Sequence, residues 1–181
     1  MACAGVDARF TPCDQNGSDM NKTWIRRLQA ADLDAVSELN RLAFNGSEEA
    51  AIVRRLHADQ DSLLSLVAHR DHDLVAHIEF FRILIDGKPA GVGLGPMSVK
   101  PEVQGRGIGS SLVSMGLTVM AGRGESIVFV LGHPEFYTKL GFSAALAEGF
   151  SAPWSGPAFM ALEVNKGAPR SGELTYPAAF G

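Results

Sequence analysis

Three glycines within five positions separate an apolar, strand-like run from a helix-like run in the second half of the chain. Residues 94–99 form the apolar run, and four residues later come Gln104, Gly105, Arg106, Gly107, Ile108 and Gly109. Glycines let a backbone approach a ligand closely and aim several N–H groups at one point. A helix that begins in such a loop adds its own unpaired N–H groups and the positive end of its dipole. The pattern predicts a strand, an anion-binding loop and a helix, and the expected anion is a pyrophosphate.

The spacing of the glycines argues against two common phosphate loops. A Walker A loop needs a lysine directly after its last glycine, and none follows here. A Rossmann loop needs Gly-x-Gly-x-x-Gly, but Ser110 and Leu112 stand where the third glycine would be. That loop also follows the first strand of its fold, whereas about three predicted strands precede this one. A glycine-rich turn that only joins strand to helix remains an alternative.

The composition predicts an ordinary soluble domain. The chain has 181 residues, of which 46% are hydrophobic and 20% are charged, which suits one domain with a sizeable core. A net charge of −4 argues against broad nucleic-acid binding, which needs a basic face. Two cysteines, Cys3 and Cys13, provide no disulfide framework, so a reducing cytoplasm is expected. The sequence contains no apolar run of about 18 residues and therefore predicts no membrane span.

The predicted organisation is one domain over residues 22–165, between a flexible extension (residues 1–21) and a loosely held tail (residues 166–181). Met20 is an alternative start. Helical spacing and acidic first turns predict helices that begin near Asp32 and Ser47. A helix at 107–121 and a short one at 135–140 are also predicted. Runs of branched and aromatic residues predict strands, at 23–26, 63–68, 74–85, 93–99, 126–131 and 159–164.

Two motifs together resemble one known family. Gln104-x-x-Gly107-x-Gly109 after a strand is similar to the pyrophosphate loop of the GNAT superfamily of N-acetyltransferases, and Tyr137-x-x-x-Gly141-Phe142 is similar to that family's second motif. The order and spacing of both motifs match, and the resemblance covers residues 23–164. The residues around His133-Pro134 and the ending at 173–177 resemble the YhbS-like branch. The resemblance implies an α+β fold with a mixed, mostly antiparallel sheet flanked by helices.

The same resemblance implies acetyl-CoA as co-substrate, lying between two splayed central strands, here 94–99 and 126–131. Unpaired backbone groups of splayed strands can bind the amides of pantetheine. The expected contacts on the first strand are Met97, Ser98 and Val99, with the Met97 N–H directed at the thioester oxygen. The expected pyrophosphate contacts follow it in the loop and the helix, at Gln104, Gly105, Arg106, Gly107, Ile108, Gly109 and Ser110.

Two residues are candidates for proton transfer. The resemblance places Tyr137 beside the departing CoA thiolate, where a phenol can donate a proton or a hydrogen bond; a core aromatic is the alternative. Glu79 is a candidate base, because it shares a strand face with His77 and Phe81 in an apolar stretch. The alternatives are a solvated glutamate at a sheet edge and a packed strand histidine at His77.

Other polar and aromatic groups carry weaker signals. His69, Asp71, His72 and Asp73 surround a predicted turn and lack metal-ligand spacing, so no metal is expected. Phe150 and Trp154 fall in a late loop, where each could line an acceptor pocket or cover the core.

We expect an acetyltransferase that acts on a primary amine of a small molecule, peptide or protein, with no nucleic-acid or membrane partner; homodimerisation is left open. The alternatives are a non-catalytic CoA-binding or sensing module and a nucleotide-binding domain unrelated to CoA. The acceptor is expected to be selected by residues 43–56, 81–91 and 148–157.

Overall fold

Long antiparallel strands form the centre of the structure, a computed structural model that describes residues 23–181. The strands are β1 (Thr23–Arg27), β2 (Ser62–Arg70), β3 (Asp73–Ile85), β4 (Lys88–Val99), β5 (Ile127–Leu131), β6 (Phe150–Ser151), β7 (Phe159–Glu163) and β8 (Gly172–Thr175). The sheet order is β1-β2-β3-β4-β5-β7, and among the described strands only β4–β5 and β6–β8 pair in parallel. The predicted mixed, mostly antiparallel sheet is therefore confirmed.

Within residues 23–181, five α-helices flank the sheet: α1 (Leu33–Phe44), α2 (Glu48–Ala58), α3 (Ile108–Gly122), α4 (Pro134–Tyr137) and α5 (Ala144–Ala147). Apolar positions one helical turn apart explain the burial of α3, where Leu112, Val113 and Met120 are fully buried. Acidic residues in the first turn of α2, Glu48 and Glu49, match the positive end of the helix dipole. No helix in residues 23–181 is long and apolar enough to cross a membrane.

The helices cover opposite faces of the sheet. Ile78 and Phe80 of β3 belong to the core that includes α3. Val67 of β2 packs with Val36 of α1 and Val53 of α2 on the other face. Since side chains alternate along a strand, β3 presents Glu79 and Phe81 to the α1–α2 side.

Residues 166–181 are not a loosely held tail, and that prediction is wrong for most of the segment. Strand β8 pairs with the end of β3 through Leu84–Thr175 and Ile85–Leu174. Leu174 and Ala179 are buried in a second core cluster. The expected surface loop at 148–157 also contains a short strand, β6, which pairs with β8. The predicted extension over residues 1–21, with Cys3, Cys13 and Met20, lies outside the described residues.

Candidate active site

The two parallel strands at the centre of the sheet, β4 and β5, are hydrogen-bonded over three residue pairs and then diverge. Strand β4 pairs with β5 only through Val92–Val128, Gly93–Phe129 and Leu94–Val130. From residue 95 to residue 99, β4 has no ladder partner on β5. Backbone groups on that edge are consequently available to a ligand, because an N–H or C=O without a partner costs free energy when it is buried.

A cleft of about 1360 Å³ opens at this separation. Pockets for one small ligand usually measure about 300–1000 Å³, so this cleft has room for two molecules side by side. Its lining includes residues of β4, of the loop that leads to α3, of β5 and α4, and of the chain's C-terminal segment.

The glycine-rich loop forms one end of the cleft. Gly105 and Gly107 have φ angles of 72° and 80° and border open space on the side where a Cβ would project. Helix α3 begins at Ile108 with Gly107 as its N-cap and no capping side chain. The Ser111 N–H donates to the Gly107 carbonyl at 2.9 Å, and this is the first hydrogen bond of the helix. The N–H groups of the preceding turn have no hydrogen-bond partner within residues 23–181 and can bind an anion, which the helix dipole also favours.

The two long side chains of this loop, Gln104 and Arg106, lie in different surroundings. Gln104 donates from Nε2 to the Val99 carbonyl at 3.0 Å, which fixes the loop to the end of β4. Gln104, Gly105, Gly107, Ile108, Gly109 and Ser110 all line the cleft. Arg106 is exposed and is not among the lining residues. The structure therefore gathers the predicted loop residues at the cleft, except for Arg106.

Strand β4 contributes to the lining the three residues that the sequence analysis expects to contact the cofactor, Met97, Ser98 and Val99. Met97 reaches the start of α3, where its Cε lies 3.5 Å from the position of a Cβ on Gly109. The Ser98 side chain is 2% exposed, and its Oγ has no hydrogen-bond partner among residues 23–181. A buried hydroxyl without a partner on a cleft wall is a potential contact for a ligand.

Tyr137 lies on the opposite wall, at the end of α4. Its ring packs edge-on against Phe136 and Phe142, with centroid distances of 4.9 and 5.5 Å. A Cβ on Gly132 would come within 2.5 Å of the Tyr137 ring, so only glycine lets the ring lie this close to the end of β5. Burial raises the pKa of Tyr137 to about 12. The phenol is consequently protonated at neutral pH and can donate a hydrogen bond into the cleft.

Glu79 is fully buried but does not line the cleft. The carboxylate contacts His57 Nε2 at 3.2 Å and His77 Nε2 at 3.5 Å, and it accepts a hydrogen bond from Ser62. Burial alone would raise the pKa of Glu79, but the hydrogen bonds from His57, His77 and Ser62 outweigh it and lower the pKa. The alternative of a solvated glutamate is therefore wrong, and the structure does not bring Glu79 and Tyr137 together.

The side of Glu79 away from the cleft is partly open to solvent. His57, which caps the carboxylate, has a side chain that is 26% exposed. It lines a separate pocket of about 320 Å³ together with Ser62 and Ser65. Ser65 in turn lies 2.9 Å from His77 Nε2. The result is a continuous row of polar side chains on the α1–α2 face of the sheet.

The second half of the cleft combines residues from the segments that the sequence analysis expects to select the acceptor with two residues that it missed. Trp154 lines the cleft, whereas Phe150 is buried in the core, edge-on to Phe129 at 4.8 Å; this separates the two late-loop aromatics. Sequence reasoning missed Tyr176 and Phe180, which line the cleft from the C-terminal segment. The remaining lining residues of this half fall in the segment 43–56, which the sequence analysis expects to select the acceptor, although it singles out none of them: Ala43, Phe44, Glu49 and Ile52.

No group of three or more His, Cys, Asp or Glu side chains within residues 23–181 is arranged to hold a metal ion. His69 is engaged by two neighbours instead. It stacks on Trp24 with a centroid distance of 4.5 Å, and its Nε2 lies 2.9 Å from Arg26. Burial, followed by the charge of Arg26, lowers the pKa of His69.

Known proteins resemble this chain in both sequence and structure. The acetyltransferase (GNAT) domain family matches residues 24–145. The uncharacterised N-acetyltransferase YjhQ of Escherichia coli is 35% identical over 133 residues, which cover 70% of this chain and 74% of that protein. The uncharacterised N-acetyltransferase YhbS of E. coli is 29% identical over 127 residues, covering 69% of this chain and 76% of YhbS.

Two solved structures share the fold over most of the chain. The crystal structure of E. coli YhbS in complex with CoA has a TM-score of 0.83 and 26% identity, covering 92% of this chain and 96% of that one. A GNAT family acetyltransferase from Brucella melitensis in complex with acetyl-CoA has a TM-score of 0.77 and 32% identity, covering 88% of this chain and 99% of that one.

Proposed function

Since this chain belongs to the GNAT family of acetyltransferases, in its YhbS-like branch, we propose that it transfers the acetyl group of acetyl-CoA directly to a primary amine. The observation that carries the proposal is the cleft itself. The free N–H groups at the start of α3, the unpaired edge of β4 and the Tyr137 phenol all border one space. Two similar proteins hold CoA or acetyl-CoA.

The residues of this chain suit the parts of the donor. Backbone N–H groups from Gly105 to Ser110 bind the pyrophosphate, and the open space beside Gly105 and Gly107 lets phosphate oxygens approach the backbone. Met97 and Val99 bind pantetheine amides through their backbone, and Ser98 adds its hydroxyl. The Met97 N–H stabilises the thioester oxygen as it gains negative charge. Arg106 remains a predicted contact through its backbone, because the proposed pyrophosphate site does not require its side chain.

The reaction forms a bond between the amine nitrogen and the acetyl carbon and breaks the bond from that carbon to sulfur. A lysine-like amine with a pKa of about 10.4 must first lose a proton, at a cost of about 4.6 kcal/mol at pH 7. An α-amine with a pKa near 8 requires only about 1.4 kcal/mol. The acceptor therefore decides how much a protein base contributes to the rate.

Tyr137 stabilises the leaving thiolate by a hydrogen bond. Its pKa of about 12 exceeds the ordinary value for a thiol, about 8.5, by about 3.5 units, so complete proton transfer would cost about 5 kcal/mol. A hydrogen bond avoids that cost and still lowers the energy of the departing sulfur. Tyr137 thus assists as a donor, and the proton that the thiolate finally gains comes from solvent or from the new product.

Glu79 as the base remains a hypothesis, and its geometry limits the form of that hypothesis. The carboxylate does not border the cleft, so it can accept the proton of the amine only through intervening groups. The variant Glu79→Gln tests this through the pH profile of kcat. A base role predicts the loss of the acidic limb of that profile, whereas a structural role predicts an unchanged profile with lower thermal stability.

The proposed function is tested in two steps. Isothermal titration of the purified chain with CoA measures donor binding, and release of free thiol from acetyl-CoA with a panel of primary amines measures transfer. Both are expected. Binding of ATP or NAD in the same titration, without binding of CoA, would refute the proposal. Binding of CoA with no thiol release from any amine would favour the non-catalytic sensing module. The predicted cytoplasmic location and any homodimer stay predictions.

A further inference from the structure

The side of the cleft away from the glycine-rich loop is lined by four aromatic rings, each packed against at least one other, which we call the aromatic wall: Phe81, Trp154, Tyr176 and Phe180. Phe81 lies 4.6 Å from Phe180 and 6.1 Å from Tyr176 between ring centroids. Trp154 meets Tyr176 edge-on at 4.7 Å. Such contacts hold each ring at a defined angle, so the wall is a preformed surface.

The aromatic wall is assembled from three distant parts of the chain. Phe81 comes from β3, Trp154 from the loop between β6 and β7, and Tyr176 and Phe180 from the segment after β8. Strand β8 fixes that last segment by pairing with the end of β3. The aromatic wall therefore forms only when these three parts of the chain have folded together, and it is not simply a local cover over the core.

The charge on this side of the cleft is negative. Ala43, Phe44, Glu49 and Ile52 line it from the α1–α2 corner. Glu49 is the one charged side chain that this corner and the aromatic wall contribute to the lining in residues 23–181. A carboxylate beside aromatic rings attracts a cation, and the π faces of the rings do so as well.

We propose that the acceptor is a small arylalkylamine, in which one aromatic ring is joined to a primary amine by a short alkyl chain. This inference rests on the proposed acetyl transfer. The ring of the acceptor packs on the aromatic wall, and Glu49 attracts the ammonium group from solvent. The amine, once it has lost its proton, then attacks the thioester between Met97 and Tyr137.

The same surface disfavours other amines. Polyamines and aminoglycosides carry several charged or hydroxyl groups, each of which needs a polar partner when it leaves water. The aromatic wall offers few such partners. A lysine side chain from a protein would insert only its alkyl stem and would leave the rings without an aromatic partner.

The substrate test measures thiol release from acetyl-CoA with three amines. The amines are 2-phenylethylamine, 2-cyclohexylethylamine and spermidine, where the second matches the first in shape but lacks a π system. The expected order of kcat/KM is phenylethylamine, then cyclohexylethylamine, then spermidine, with about a tenfold difference between the first and the last. Spermidine as the best of the three acceptors would overturn the inference.

Matched variants test the residues. Trp154→Ala is expected to raise KM for 2-phenylethylamine about tenfold, with Trp154→Phe close to wild type. Trp24→Ala, at an exposed tryptophan on β1 outside the cleft, is the control and leaves KM unchanged. Glu49→Gln raises KM for the amine, whereas Glu48→Gln, at the exposed neighbouring position, does not.

The outcomes separate this inference from the proposed function. An unchanged affinity for CoA in all four wall and carboxylate variants shows that they fold and bind donor. Equal KM values for wild type and Trp154→Ala then refute the aromatic wall as the acceptor site while leaving acetyl transfer intact. Thiol release with none of the amines would instead refute the proposed function, and the inference with it.

Discussion

Replacing Gly116, in the middle of helix α3, by alanine should destabilise the protein, although alanine usually stabilises a helix. Gly116 faces the ring of Phe80 on β3, and a Cβ added to Gly116 would lie 2.1 Å from Phe80 Cε2 and 2.2 Å from Cζ. Carbon atoms in contact are normally about 3.5 Å apart, so the ring would have to withdraw by about 1.4 Å. Phe80 is fully buried, so its ring cannot move out into solvent without leaving the core.

The two competing effects can be compared. Replacing an interior helical glycine by alanine stabilises a helix by about 1 kcal/mol. Overpacking a well-filled core costs about 1–3 kcal/mol, and the short distances at Gly116 favour the upper part of that range. We therefore expect Gly116→Ala to lower the free energy of unfolding by about 2 kcal/mol. For a domain of this size, that lowers Tm by about 4–8 °C.

The same helix provides a matched control. Gly122, at the C-terminal end of α3, has no atom within 4 Å of the position of its missing Cβ. Gly122→Ala is therefore expected to raise Tm by up to about 4 °C. Thermal unfolding followed by circular dichroism measures both variants under one condition.

The outcome also concerns the site, because α3 presents its N-terminus to the proposed pyrophosphate. Displacing the helix from β3 should weaken CoA binding in Gly116→Ala but not in Gly122→Ala, as measured by isothermal titration. An increase of Tm in both variants would refute the packing argument. It would mean that the Phe80 ring yields without cost.

Further expectations concern the donor site and the buried polar row. Gly107→Glu should weaken CoA binding by about 10³-fold, since a carboxylate about 4 Å from a phosphate charge costs about 4 kcal/mol; Gly107→Ala carries the same backbone strain without the charge, and equal effects of the two would contradict the anion site. Tyr137→Phe should lower kcat by about 10- to 100-fold with unchanged KM for acetyl-CoA, the value of one hydrogen bond to a charged group, as measured by thiol release; a wild-type rate would exclude that bond. Glu79→Gln should lower the free energy of unfolding by about 3 kcal/mol. The hydrogen bond to Glu79 raises the pKa of His57 above 6.5, so its contribution is complete below pH 6.5 and is lost as pH rises through the folded value. The lowered pKa of Glu79 makes its own contribution complete above pH 4.5 and lost as pH falls through the folded value. The Tm difference from wild type should therefore be largest between about pH 4.5 and 6.5, and a difference that grows above pH 7 would contradict this coupling.

Local patterns brought together residues of the glycine-rich loop that the structure places on one cleft, although their role in donor binding stays a prediction. The glycines of the loop act through their own backbone, so Gly105 and Gly107 could be recognised without knowledge of any neighbour. Arg106 was assigned to the site by its position in the loop, but the direction of a side chain depends on backbone angles that its sequence position does not specify. The structure accordingly leaves it outside the cleft lining.

Long-range contacts explain what the sequence did not predict. Tyr176 and Phe180 reach the cleft because Thr175 pairs with Leu84, about ninety positions earlier in the chain. The period of two along β3 correctly placed Glu79 on the face of His77 and Phe81. It did not reveal that His57, from a separate helix, would cover the carboxylate.

The attachment of the C-terminal segment to β3 has a consequence for how related chains should be compared. The family match ends at residue 145, and three of the four rings of the aromatic wall come from residues beyond it. If the aromatic wall selects the acceptor as proposed, percentage identity over the matched region says little about which amine a related chain acts on. Under that proposal, two relatives with equal identity to this chain can act on different amines, and grouping relatives by residues 150–181 would divide them by substrate.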